Sequence, residues 1–120
     1  MEPVVVFSIL EPTVEATVSR LALAPSGCGL IEIRADHLKP SDIPGLVAEA
    51  PGPVLVTARP VHEGGAFDGS DEERRLVITA ALEAGAYLVD VEWGTPLAEL
   101  ADGEQAGRVV LSHHGAPCRV

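Results

Sequence analysis

Residues 30–36 read LIEIRAD, and the alternation inside that stretch decides what the rest of the chain can be. In an extended strand successive side chains point to opposite faces, so Ile31 and Ile33 share one face while Glu32 and Arg34 share the other. Ionised groups on one face of a strand demand water, a partner or a ligand, because each costs several kcal/mol when buried alone. The same arrangement recurs on both sides of the stretch. VVVFSIL places Ser8, VLVTARP places Thr57 and Arg59, YLVDVEW places Asp90 and Glu92, and VVLSHH places Ser112 and His114 on a polar parity near the C-terminal end of a β-branched run. The opposite parity keeps Val56, Val89, Val91 and Leu111. Runs that all make the same exception share one solvated or ligand-filled place, which is the mouth of a parallel sheet.

Between these runs lie segments with helical marks. SDEERRLVITAALEAG opens with Ser70 and Glu73 at capping-box spacing and closes on Gly85. Val14, Val18 and Leu21 follow i, i+4, i+7 spacing behind Thr13, a capping residue. PSDIPGLVAEA and TPLAELADGEQAG read as shorter helices, the second with Pro96 in its first turn. The run DEERR reads as a solvated helix start. Strands alternating with helices imply parallel pairing, since neighbours in one direction need a crossover.

The chain has 120 residues, 47% of them apolar and 3% aromatic, which predicts one globular domain over residues 1–120 with an aliphatic core. No apolar stretch reaches the roughly 18 residues of a membrane span. The start MEPVVVFSIL lacks a basic flank and a cleavage site, so the expected location is the cytoplasm. A net charge of −10 argues against nucleic acid or an anionic membrane as partner. Cys28 and Cys118 stand far apart without metal-ligand spacing and are read as thiols. His113 and His114 on one strand point to opposite faces and cannot easily share an ion, so no metal site is expected.

Two α/β architectures gather strand ends into a site. A (β/α)8 barrel does so around one pocket but needs on the order of 200 to 250 residues. A five-stranded open α/β sandwich, doubly wound, suits the length but concentrates polar ends at one crevice. Parity on every strand favours a partial barrel. A phosphoacceptor role is not expected, because Thr57-Ala58-Arg59 stands where the third strand would need an aspartate.

The series EIRAD, TARPVHEGG, DVEW and SHH, in this order and each closing a strand, resembles the type I 3-dehydroquinate dehydratases of the shikimate pathway. Those are barrel enzymes that eliminate water from 3-dehydroquinate through an imine on a lysine. The resemblance runs from about Ser8 to His114 and matches five of the family's eight strands. It implies that Ser8, Glu32, Arg34 and Arg59 meet the substrate. It implies that His114 is the general acid/base, with Glu63 in the following EGG loop also catalytic. Asp90, Glu92 and Ser112 would support them, and Gly64 and Gly65 would let the loop move over the pocket. An imidazole titrates near neutrality, so it can take the C2 proton and return one to the departing hydroxyl. An imine gives the resulting carbanion an electron sink. No cofactor is implied.

Departures from the family pattern are as informative. Gly115 stands where the family usually has an acid, and the imine lysine belongs to a sixth strand that the sequence does not contain. The sole lysine, Lys39 in DHLKP, matches no catalytic position and reads as a surface residue. Five barrel strands leave two sheet edges and an inner face to cover. A fragment of a longer enzyme, a homo-oligomer, pairing with a separate C-terminal half, and relaxation into a smaller sandwich are all open at this point. So is a non-catalytic half barrel that serves binding or oligomerisation.

Overall fold

The computed structural model describes residues 4–112. Five strands, β1 (Val6–Ile9), β2 (Leu30–Arg34), β3 (Val54–Thr57), β4 (Leu88–Glu92) and β5 (Val109–Ser112), form one parallel sheet in the order β1-β2-β3-β4-β5. That order separates the two architectures. A doubly wound sheet of flavodoxin type places its second strand outside the first, on the far side of a switch point. Each strand lying beside its predecessor is the winding of a barrel wall. The chain is therefore a partial barrel, and the open sandwich is set aside.

Three helices cover one face. α1 (Val14–Leu21) begins at Thr13, whose side chain accepts a hydrogen bond from the Ala16 amide at 3.1 Å. α2 (Ile43–Glu49) follows a short 3-10 turn at Pro40–Asp42. α3 (Asp71–Glu83) carries the capping box read from the sequence: the Glu73 amide donates to Ser70 Oγ at 3.1 Å, and the Ser70 amide donates to Glu73 Oε1 at 3.3 Å. Gly85, at φ 91°, ends it in the left-handed region.

The apolar parity of the strands fills the space beneath these helices. Ile31, Ile33, Val54, Val56, Val89 and Val91 are buried with Leu21, Ile43, Leu46, Val77 and Ile78. Three expectations need correction. Val18 lies at the rim of α1, and Thr17 takes the buried place, its hydroxyl satisfied by donating to the Thr13 carbonyl at 2.8 Å. The segment after β4 forms a 3-10 turn at Pro96–Asp102 rather than an α-helix. Its N-cap threonine does not cap: Thr95 Oγ1 donates backwards to the Glu92 carbonyl at 2.7 Å, and glycines at 103 and 107 weaken any longer helix. Leu111 is 45% exposed, because β5 pairs with β4 alone among the described residues and lacks the helical cover of the inner strands.

Two substitutions separate packing from capping. Ile33→Ala is expected to cost about 2–5 kcal/mol, since the sheet cannot collapse around the space it leaves. Ser70→Ala is expected to cost about 1 kcal/mol through a lost helix cap. Urea titration followed by circular dichroism measures both.

Candidate active site

The register of the sheet brings the polar parity together. Ser8 lies opposite Glu32, Arg34 opposite Thr57, Thr57 opposite Asp90, and Glu92 opposite Ser112. These residues therefore share the face turned away from the helices. His114, assigned the acid/base role, and its neighbour His113 lie outside the described residues.

Four charged residues on or over this face form one cluster that is almost fully removed from water. Arg59 is 9% exposed, Asp90 5%, Glu92 1% and Arg74 1%. Such groups persist only when paired. Arg59 extends from the end of β3 and donates from Nη2 to Asp90 Oδ2 at 2.9 Å and from Nη1 to Glu92 Oε2 at 3.0 Å. The same Nη1 lies 3.4 Å from Ser112 Oγ. The second oxygen of Glu92 accepts from Arg74 Nη1 at 2.6 Å, and that nitrogen also donates to the Ala58 carbonyl at 3.0 Å. One carboxylate thus joins two guanidiniums, and two cations balance two anions. Asp90 Oδ1 and Arg74 Nε have no hydrogen-bond partner among the described residues.

Arg74 overturns the reading of DEERR as a purely solvated helix start. Its polar neighbours in the sequence conceal a first-turn position of α3 that faces the sheet, so the side chain runs inward to Glu92. Nothing in the local sequence separates it from Arg75, which lies at the surface and pairs with Glu99.

A second buried carboxylate organises the neighbouring strands. Asp36 accepts from Arg34 Nε at 3.3 Å and from Arg34 Nη2 at 2.6 Å, and its side chain is fully buried. It also accepts from the Arg59 amide at 3.0 Å and the Ala66 amide at 3.0 Å, tying β2 to the end of β3 and to the loop that follows. The ion pair within this stretch is therefore Arg34 with Asp36. Glu32 is left to other work: it accepts from Ser8 Oγ on one oxygen and from Thr57 Oγ1 at 3.1 Å on the other. Asp36 lies in the turn just beyond β2, and the aspartate closing EIRAD was the available signal for it, since an acid two residues after an arginine is within reach of its guanidinium.

The EGG segment leaves β3 through a 3-10 turn at Val61–Glu63 and folds back. Glu63 is half-buried in this turn and makes no side-chain hydrogen bond among the described residues. Gly64, at φ 87°, turns the chain where other residues would be strained. Gly65 lies so close to Arg59 that a Cβ there would collide with its carbonyl oxygen and side-chain stem. Amides of Gly65 and Phe67 then donate to the Pro60 and Arg59 carbonyls, both at 2.9 Å. The loop is packed on the arginine that presents the site.

The resulting face offers fixed guanidinium donors beside carboxylate acceptors. That combination suits a small molecule carrying both an anionic group and hydroxyls. No group of three or more metal-ligating side chains occurs among the described residues. No helix among them is long and apolar enough to cross a membrane.

Comparison with known proteins gives this geometry a context. A family model described as type I 3-dehydroquinase matches residues 5–119. The chain is 33% identical over 119 residues to the chloroplastic bifunctional 3-dehydroquinate dehydratase/shikimate dehydrogenase of Arabidopsis thaliana, covering 88% of this chain and 20% of that protein. It is 34% identical over 110 residues to a 3-dehydroquinate dehydratase of Dehalococcoides mccartyi, covering 86% of this chain and 49% of that one. In fold it is similar to the crystal structure of 3-dehydroquinate dehydratase from Geobacillus kaustophilus HTA426, with a TM-score of 0.74 at 23% identity, over 93% of this chain and 49% of that chain. The chain spans no more than about half the length of these relatives.

The buried cluster makes a sharp contrast with the surface. Glu92→Ala leaves two guanidiniums with one carboxylate and is expected to cost about 3–5 kcal/mol. Arg75→Ala removes an exposed pair and is expected to cost less than about 1 kcal/mol. Denaturant titrations of the two variants measure the difference.

Proposed function

The chain belongs to the type I 3-dehydroquinase family, and on that premise we propose that it carries the substrate-gripping share of a 3-dehydroquinate dehydratase. Such a lyase serves the shikimate pathway, in aromatic amino acid biosynthesis, by eliminating water from 3-dehydroquinate to give 3-dehydroshikimate. The reading is carried by the gathering of Glu32, Arg34, Arg59, Asp90 and Glu92 on one face of the sheet. Residues 1–120 then form one partial-barrel domain, acting in the cytoplasm on a small-molecule substrate.

Each residue has a role in this reading. Arg34 and Arg59 are fixed by buried acids and present their remaining N–H groups to the substrate's anionic and hydroxyl oxygens. Ser8 and Thr57 hold Glu32 so that its unused lone pairs accept a substrate hydroxyl. His114 removes the C2 proton and returns a proton to the departing hydroxyl, with Glu63 as its companion and Ser112 in a supporting role. Gly64 and Gly65 shape the loop that carries Glu63. The imine forms on a lysine from outside the 120 residues, for Lys39 is exposed beyond the end of β2.

One observation also favours assembly. Val6 at 46% exposure and Val110 at 39% leave apolar area on the two outermost strands. A second copy of the chain or a C-terminal half of the barrel covers that area in this reading.

Thermal melting with 3-dehydroquinate tests the site. A ligand present at a hundredfold excess over its Kd is expected to stabilise the chain by about 2.7 kcal/mol, and Arg34→Ala is expected to abolish the shift. Absence of any shift, together with a melting point that rises with protein concentration, would replace this reading with assembly alone. After borohydride treatment with 3-dehydroquinate, mass spectrometry is expected to find Lys39 unmodified.

A further inference from the structure

The way Glu92 is shared points to a residue whose influence on the site is indirect. We propose that Arg74 is a positioning residue, which sets the orientation of the Arg59 guanidinium through Glu92. The inference rests on the functional reading above only for its ligand arm.

Glu92 divides its oxygens, with Oε1 on Arg74 and Oε2 on Arg59. Arg74 itself is anchored at three points: the Ala58 carbonyl at 3.0 Å, Glu92 at 2.6 Å and Asp71 Oδ1 at 3.3 Å. Two of these anchors belong to strand ends, so Arg74 ties α3 to the last residues of β4 and to the residue before Arg59. Without it, Asp90 and Glu92 face a single cation, Arg59, in a place with almost no water. Glu92 would then be free to turn both oxygens onto Arg59 and draw its guanidinium off the position shared with Asp90. Arg74 supplies the second positive charge that holds Glu92 Oε1, so that Glu92 meets Arg59 Nη1 through Oε2 alone while Nη2 rests on Asp90. A planar guanidinium suits this because it can donate to a carbonyl and a carboxylate in fixed directions.

The test compares Arg74→Met, Arg74→Lys, Glu92→Gln and the double variant Glu92→Gln/Arg74→Met. Arg59 is followed by its Nε–H signal in nitrogen–proton NMR spectra. Quinate binding is followed by fluorescence of Trp93, the sole tryptophan, which follows Glu92 and is 64% exposed. Arg74→Met is expected to shift the Arg59 signal and weaken quinate binding about tenfold, within the range shown by coupled neighbours. Arg74→Lys, which keeps the charge, is expected to recover part of both effects. In the Glu92→Gln background, removing Arg74 is expected to change neither the Arg59 signal nor the affinity further.

A lowered melting point in Arg74→Met with an unmoved Arg59 signal would overturn the proposal, leaving Arg74 a structural residue only. So would a full additional effect of Arg74→Met on top of Glu92→Gln. If Arg74→Met fails to fold, Arg74→Lys decides: a shifted Arg59 signal with weaker quinate binding supports the proposal, and an unmoved signal overturns it. Failure of the wild-type chain to bind quinate would count against the functional reading, while the NMR arm would still decide the role of Arg74.

Discussion

Two positive and two negative side chains, sealed from water at the C-terminal end of the sheet, constrain everything around them. Arg59, Arg74, Asp90 and Glu92 come from two adjacent strands and the helix between them. Removing any one leaves an unbalanced charge where water cannot compensate it. The cluster therefore dictates more than its own geometry. It fixes where α3 begins relative to β3 and β4, and it fixes the arginine against which the EGG segment packs. Such a group adds little net stability compared with an apolar core of equal volume. What it does fix is the position of one guanidinium, held by Asp90 and Glu92 together.

The architecture was legible wherever it depended on alternation along a strand. LIEIRAD and its counterparts separated an apolar face from a polar one, and the register places those polar residues side by side. Thr13 and Ser70 announced their helices because capping is local. Long-range pairing left no such trace. Arg74 and Arg75 are identical in kind and adjacent in sequence, yet one is buried against Glu92 and the other lies at the surface. Only the rotation of α3 on the sheet separates them. Asp36 was quoted within its motif, but its contacts with Arg59 and Ala66 span 23 and 30 residues, beyond what spacing can reveal.

Membership of the type I 3-dehydroquinases agrees with the chemistry of the face without depending on it. A barrel wall presents its catalytic groups from several strand ends, and each unit brings its own contribution. Here the polar face takes Ser8 from β1, Glu32 and Arg34 from β2, Thr57 from β3 with Arg59 two residues beyond it, and Asp90 and Glu92 from β4. Glu32 is held by the hydroxyls of Ser8 and Thr57, Arg34 by Asp36, and Arg59 by Asp90 and Glu92. A residue assigned to the substrate is for this reason also a structural neighbour of another, and substitutions in the series will not act independently.

The outermost strands carry a colloidal consequence. β1 and β5 each have a neighbour on one side only among the described residues, and an uncovered strand edge is a template for pairing with another molecule. The chain as a whole carries a surplus of ten negative charges. Mutual repulsion between molecules guards the exposed backbone, and added electrolyte shortens the reach of that guard.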